Sequence, residues 1–404
     1  MSLAQGIKKQ TTFGTQVALG TPKTGAGGQI LRRKTSVFSA TRDMFENDEI
    51  VSHQQSTGVT YGLKKVAGKI DGLLSAGTYK LLMAQGLRKD FAATAPMAAG
   101  TDVTATVGAP QFVDASAGFL TAGLKVGDVG RWTGFTAGGA GNNNRNFLIT
   151  ALTAGNMTGV FLDGLPAAAK TSGDAVTFTL PGKKTMAPLT GHTDTFFTFE
   201  EWFSDLARSE RFDDCKVNQI SFNLPATGNA EIGFDIIGLS RTLAAAQSFT
   251  TPTAETTTSV MSALNGAVYV NATKVGNITG AQFALDCGIK PVSAVLGSNS
   301  SPDVDRGRMK VSGSFTGLFD SATIQTLYDS ETPTSLIIVV TTDPSATADF
   351  ITFTMGRIKL TGDAPDDGEK SILRTYPFTA ELNGAGGAAL AWDQTVLTIQ
   401  DSQA

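Results

Sequence analysis

The stretch GLKKVAGKIDGLLSAGTY, residues 62–79, returns with small changes as GRMKVSGSFTGLFDSATI at residues 307–324, 245 positions further on (307 minus 62). In the second copy Met309, Val311, Gly313, Phe315, Gly317 and Phe319 share one face, and Lys310, Ser312, Ser314 and Thr316 share the other. A period of two marks a strand with one dry side and one wet side. The first copy divides the same way: Lys64, Val66, Gly68, Ile70, Gly72 and Leu74 against Lys65, Ala67, Lys69 and Asp71. Glycines recur four apart on the dry face in both copies, where glycine weakens a strand unless something bulky needs the space. The segment after the strand is the candidate for that bulk: AGTYKLLMAQ (76–85) and ATIQTLYDS (322–330) read as short helices. Ser75 is placed to cap the first and Asp320 or Ser321 the second, with Gly86 as a stop.

Working outward, the same offset aligns Phe38 with Phe283, Gly62 with Gly307, Val66 with Val311 and Gly72 with Gly317, without a gap. With 404 residues, the chain is also long enough for two or three domains. The expected organisation is an N-terminal arm (1–30), a first β domain split into 31–99 and 184–247, and an inserted β module (100–183). A Thr-rich linker (248–259) and a second β domain (260–404) complete it. Residues 1–30 lack either structural period and are expected to order only against a neighbouring molecule. In the insert, LKVGDVGRW (124–132) alternates weakly as a strand and Asn142–Asn144 read as a loop tip. Ile337 to Val340 form a β-branched run expected of a strand buried on both faces. The last strand reaches almost to residue 404, so the C-terminus is expected to be structural.

Hydrophobic residues make up 41% of the chain, charged residues 17%, and glycine occupies 45 positions, which fits turn-rich globular β structure. The formal charge of −4 and the absence of any long basic run argue against a surface that grips nucleic acid. The start has no apolar signal region and no stretch is long enough to span a membrane as a helix, so a protein made and used in a reducing or redox-indifferent setting, not secreted by a cleaved signal, is expected. Two cysteines, Cys215 and Cys287, are too few for a disulfide framework; one bridge between them is open, and buried free thiols are the simpler reading.

No chemistry-bearing constellation assembles, so no catalytic, cofactor-binding or metal-binding residue is assigned and no cofactor is expected. His53 and His192, the only histidines, sit in polar turns without a nucleophile elbow nearby. Asp363, Asp367 and Gly368 match calcium-loop positions, but Pro365 and Arg374 stand where ligands are needed, leaving a solvated hairpin loop. Residues 25–33 (GAGGQILRR) lack the remaining parts of a dinucleotide fingerprint, and TFTLPGKKT (177–185) has Thr177 where a phosphate loop needs glycine. Glu200 and Glu201 point apart on adjacent positions and suggest a charged segment at a subunit surface rather than a glycosidase pair. The basic cluster LRRK (31–34) is expected to dock against an acidic neighbour.

These pieces, in order, resemble the major tail tube proteins of long-tailed bacteriophages. The likeness rests on VDRGRMKVSGSFTGLFDS (304–321), FTMGRIKLTGDAPDDGE (353–369), RTYPFTAELNGAGG (374–387) and the ending LTIQDS (397–402), with DCKVNQISFNLPATGNAEIGFDIIG (214–238) similar in the first half. It covers roughly 300 residues, leaving the arm and 100–183 outside. The resemblance implies a mainly β chain of two tandem sandwich or barrel domains, each with a flanking short helix. It implies a structural virion protein, not an enzyme, assembled in the host cytoplasm into stacked rings through which DNA leaves the capsid. The partners it implies are further copies of the chain, a tape measure protein, a tail terminator and distal tail proteins, with no membrane. Relatives with one such domain form six-fold rings, so two domains per chain lead to an expectation of three chains per pseudo-six-fold ring. A different tail or baseplate component, or a carbohydrate-binding β-sandwich, remain the alternatives.

Overall fold

The repeated stretch is a strand in both places in the computed structural model, which describes residues 3–109 and 111–404. Residues 1 and 2 of the expected arm lie outside the described residues. In the first half the labelled strands are β1 (Lys9–Thr15), β2 (Ala26–Ile30), β3 (Thr35–Glu46), β4 (Val59–Leu73), β5 (Phe197–Phe203), β6 (Arg208–Leu224), β7 (Glu231–Gly238) and β8 (Ser240–Ala244). In the second half they are β9 (Gly266–Val270), β10 (Ile278–Asp286), β11 (Lys310–Leu318), β12 (Thr334–Thr341), β13 (Phe350–Leu360), β14 (Leu373–Ala380) and β15 (Thr398–Asp401). Two helices, α1 (Lys80–Leu87) and α2 (Thr323–Asp329), each follow a copy of the repeat.

Each half makes the same pairings in the same order. In the first, β4 lies between β3 and β7, β7 pairs with the later part of β6, and the earlier part of β6 pairs with β5 and β8. In the second, β11 lies between β10 and β14, β14 pairs with the end of β13, and the start of β13 pairs with β12 and β15. β1 lines up on β5 as β9 does on β12. The register recurs too: Phe38 faces Gly68 as Phe283 faces Gly313, and Ile70 faces Phe234 as Phe315 faces Tyr376. Phe38, Gly68 and Ile70 sit at the offset of the repeat from Phe283, Gly313 and Phe315, whereas Phe234 and Tyr376 are 142 positions apart (376 minus 234).

The halves join edge to edge. Gln219–Leu224 of β6 pair antiparallel with Ala281–Asp286 of β10, which makes one continuous sheet in the order β3-β4-β7-β6-β10-β11-β14-β13. The dry sides of its strands share one core with the outer strands, holding Ile70, Phe234, Phe222, Phe283, Phe315 and Phe353. Across the joint the Phe222 ring is 5.3 Å from Phe283 and 4.7 Å from Phe353, within the range where aromatic pairs attract.

Of the dry-face glycines only Gly72 has the expected cause, the segment after the strand; Gly68 makes room for Phe38 of β3, and the second half has another cause again. A Cβ on Gly68 would enter the Phe38 ring, and one on Gly72 would land on the hydroxyl of Tyr79, which precedes α1 and donates to the Arg32 carbonyl at 2.9 Å. At Gly313 and Gly317 the obstruction is β10 itself and the Asn277 carbonyl, not a helix. The helices differ accordingly: α1 buries Leu82, Met83 and Leu87, while α2 buries no residue fully. Gly72→Ala is expected to lower stability by ~2–4 kcal/mol, since it overpacks the site and displaces a buried hydrogen bond. Gly317→Ala, whose nearest neighbour is 3.1 Å away, is expected to cost less, as read from the two melting temperatures.

Several local expectations are corrected. Neither helix has a side-chain cap: Ser75 bonds to Thr78 in the turn before α1, and Ala322 occupies the N-cap of α2. Gly86 lies inside α1, where a Cβ would press on Ile220, and Arg88 takes the left-handed cap at φ 53°. The described part of the arm is ordered within its own chain. β1 pairs along seven positions with β5, and Thr11, Thr12 and Phe13 are buried. It shows no period because both faces are covered, one by Phe197 and Phe199, the other by Lys23 and Phe249 at Gly14. The Thr-rich connector is a pinned strap: Thr251–Thr253 pair parallel with β2, Arg32 donates to the Thr256 and Thr258 carbonyls, and Phe249 is fully buried over Gly28.

Six strands between Val103 and Thr179 form a sheet of their own around Trp132, whose ring lies 4.7 Å from Phe112 and 4.8 Å from Phe178. The strand at LKVGDVGRW begins only at Val129, and Asn142 is buried with both amide groups bonded to the Ala168 backbone, so it is no exposed tip. The core of this sheet also takes in Tyr269, Ile337, Val339 and Phe350. β12 is therefore buried on both faces, as expected of residues 337–340, with Leu336, Ile338 and Val340 on the main core and Ile337 and Val339 under the insert.

Candidate functional surface

The continuous sheet has one face left to solvent, and the period-two alternation of its strands determines what stands there. Lys65, Ala67 and Lys69 of β4, Ser221 and Asn223 of β6, Gln282 and Asp286 of β10, and Lys310 and Ser312 of β11 are exposed on it. The polar face of the repeated stretch thus points out of the protein on both sides of the joint.

Its electrostatics are balanced. Lys65, Lys69, Lys310 and Lys359 carry positive charge, and Asp71, Glu231, Asp235 and Asp286 carry negative charge, spread over five strands. Lys34 at the edge pairs with Glu231 at 2.7 Å; the hydrogen bond between them raises the lysine's pKa and lowers the glutamate's. Lys69 and Asp71 are 3.9 Å apart. Such exposed pairs add little stability. They do break up any field that would hold a polyanion.

At one rim of the sheet the β3–β4 hairpin projects beyond the strands it pairs with. Met44, Phe45, Ile50 and Tyr61 on this arm are exposed, Ile50 completely. The corresponding second-half segment, between β10 and β11, carries the exposed Leu296, and the two arms touch where the Lys64 N–H donates to the Asn299 carbonyl at 2.8 Å. Exposed apolar side chains clustered on projecting arms are the usual mark of a docking surface.

The residues weighed for chemistry stay apart. His53 and His192 are exposed in separate loops. Glu200 and Glu201 do point to opposite sides of β5, but both are buried, which corrects their reading as a surface segment. Glu200 accepts from the Ser209 hydroxyl and from the Ser248 and Phe249 N–H groups, and Glu201 pairs with Lys9 at 2.6 Å and accepts from Ser36. They staple the arm and strap to the sheet. Asp363 is held by Arg374 and Gln325, and among the described residues no group of three or more His, Cys, Asp or Glu is placed to hold a metal. Arg32 and Arg33 spend their guanidinium groups on backbone carbonyls of their own chain, leaving Lys34 as the exposed member of the LRRK cluster. Cys215 and Cys287 are free and buried; burial pushes the Cys287 thiol up to about 12 and raises that of Cys215 well above the ordinary range. No described helix is long and apolar enough to cross a membrane.

Sequence reasoning placed Lys65 and Lys310 on a polar face but missed that the two faces are one, because strand pairing across the halves leaves no local signal. Two comparisons bear on what such a surface is for. The family model for the phage tail tube protein matches residues 3–380, and no curated protein sequence matches the chain.

Proposed function

The chain belongs to the phage tail tube protein family, a structural component of the virion tail, and from that premise we propose that it polymerises into stacked rings whose bore conducts DNA. The observation that carries this reading is the joint between β6 and β10, by which two half-chains with the same pairings already extend one sheet. We read the halves as a tandem duplication of one ring segment, so that three chains supply the six segments of a ring. The wet face of the sheet then lines the bore. Its alternating lysines and carboxylates offer a passing duplex few phosphate neutralisations, and without released counterions the DNA does not stick.

The same arrangement puts the insert outside. It covers β12 on the side away from the main core and the wet face, where a bore has no room and an outer wall has plenty. The two projecting arms, with Phe45, Ile50, Tyr61 and Leu296 uncovered, supply apolar area for the next ring in the stack. A tape measure protein inside the growing tube, and terminator and distal proteins at its ends, are the partners this role requires.

Negative-stain microscopy of the purified protein, or of its particle, tests the reading. Long hollow tubes with a bore wide enough for duplex DNA are expected. The mass of an isolated ring should correspond to three chains. Soluble monomers under every condition, or closed single rings only, would overturn the tube, and rings of six chains would overturn the duplication argument while leaving the tube intact.

A further inference from the structure

The internal joint is a template for the joint between chains. In the first half, Ser221, Phe222 and Asn223 of β6 have β7 on one side, opposite Gly233, Ile232 and Glu231, and β10 on the other, opposite Ala284, Phe283 and Gln282. In the second half the positions that stand against β14 in the same way are Ala364 opposite Thr375, Pro365 opposite Arg374, and Asp366, whose N–H donates to the Leu373 carbonyl at 2.8 Å. The correspondence is anchored independently through the repeat, because Asp71 and Gly72 face Gly233 and Ile232 as Thr316 and Gly317 face Thr375 and Arg374. The far edge of residues 364–367 pairs with no strand among the described residues.

The opposite end of the sheet is open too. β3 occupies the place of β10 and among the described residues pairs with no strand but β4; of its outward backbone groups the Ser36 carbonyl accepts from Lys9 Nζ at 2.6 Å, and no strand lies against the edge. Long open edges are a hazard that folded chains usually blunt. β3 is twelve residues long with Val37, Met44 and Phe45 exposed. One copy therefore presents the receiving edge and the inserting edge at the two ends of a single curved sheet, which is the condition for a head-to-tail ring.

We propose that β3 of one chain pairs antiparallel with residues 364–367 of the next, in the register that the internal joint dictates: Ser39 opposite Ala364, Phe38 opposite Pro365, Val37 opposite Asp366 and Ser36 opposite Asp367. This rests on the tube reading and names its contact. The chemistry of the two edges agrees with it. Continuing the register sets Lys34, just beyond β3, against Glu369, with Asp366 and Asp367 alongside. Pro365 takes the place of Phe222. Because the Asp366 N–H points to β14, alternation turns the Pro365 nitrogen to the open edge, where proline costs no intrachain hydrogen bond and withholds one donor from any stray strand. The joint between chains is thus built weaker than the one within.

The test uses full-length chains carrying Val37→Cys with Asp366→Cys, assembled into tubes and oxidised, with Val37→Cys and Ala364→Cys as a pair displaced by two residues. Directly opposed strand positions meet disulfide geometry and diagonal ones do not, so the matched pair is expected to give about tenfold more interchain bond, closing into covalent rings on a non-reducing gel. Tubes that form without that bond, or that link the displaced pair equally well, overturn the register and leave the tube reading standing. Wild-type chains that form no tubes overturn both. If the cysteine variants do not assemble, zero-length carbodiimide coupling of unmodified tubes decides: a bond between Lys34 and Glu369 or Asp367 of different chains supports the joint. Its absence among other interchain bonds refutes it.

Discussion

A chain from which residues 100–183 are excised, with the ends rejoined through a short glycine linker, is expected to be insoluble rather than merely unadorned. The ends are close enough to rejoin, since Ala92 and Lys184 already form a two-way backbone bridge with bonds of 2.9 and 3.0 Å. The difficulty is what the insert covers. Tyr269, Ile337, Val339 and Phe350 lie in its core at 3% exposure or less, and uncovering each forfeits ~2 kcal/mol of burial, together comparable to the net stability of a whole domain. Polar contacts go with it: Lys125 donates to the carbonyls of Gly387, Ala388 and Leu390, and Lys184 pairs with Asp128 as well as Asp393. Soluble yield and dye binding to exposed apolar surface measure the outcome. Adding Ile337→Thr and Val339→Thr to the excised chain should recover part of the solubility, because the threonines keep the strand shape while wetting its outer face. A freely soluble excised chain without those changes would mean that the insert contributes nothing to the second half.

Glu200→Ala is expected to cost about 3–5 kcal/mol, the second large effect. Its two oxygens are the acceptors for the Ser209 hydroxyl and for two successive backbone N–H groups at the start of the strap, and alanine leaves all three donors without this partner, two of them buried and the Ser248 N–H part-buried. The consequence spreads along the chain. Once Ser248 and Phe249 let go, the Phe249 ring loses its seat over Gly14 and Gly28, and β1 loses its outer cover. Glu200→Gln, which keeps one acceptor oxygen, should fall between wild type and alanine. Thermal unfolding orders the three, and proteolysis should nick the alanine variant first within 248–259. Equal melting temperatures for all three would remove the stapling role assigned to this carboxyl.

What the sequence made legible, and what it hid, follows from how many faces of a segment are covered. The repeated strand was readable because one side is dry and the other wet, so Val66, Ile70, Val311 and Phe315 announce the core and Lys65 and Lys310 the surface. Residues 337–340 were readable because a strand buried on both faces is a continuous β-branched run. β1 was not, for Lys9–Thr15 is polar and still internal: Thr11 lies on the side of Phe13, toward the main core, and Thr12 on the side of Gly14, under the strap. Glu200 and Glu201 misled in the same manner, since adjacent carboxyls look like surface until the partners arrive from distant segments. The shared form of the two helical stretches concealed that α1 is packed and α2 is not, a difference determined by tertiary neighbours rather than by propensity. The wet face as a single surface had no local signature, because it depends on β6 meeting β10 across an intervening strap.

The strap has a kinetic consequence. As part of the 53 residues (225–277; 277 minus 224) that tether β6 to β10, it holds the partners of the internal joint at an effective concentration in the ~millimolar range, far above any concentration of free chains early in assembly. If three chains make a ring, half of its six joints therefore exist before any two molecules meet. Nucleation becomes a meeting of three bodies in place of six, and the concentration at which tubes start should fall steeply compared with the same segments supplied as separate chains. Timing then passes to the remaining three contacts, each of which can be left shallow and slow so that polymerisation waits for its initiator.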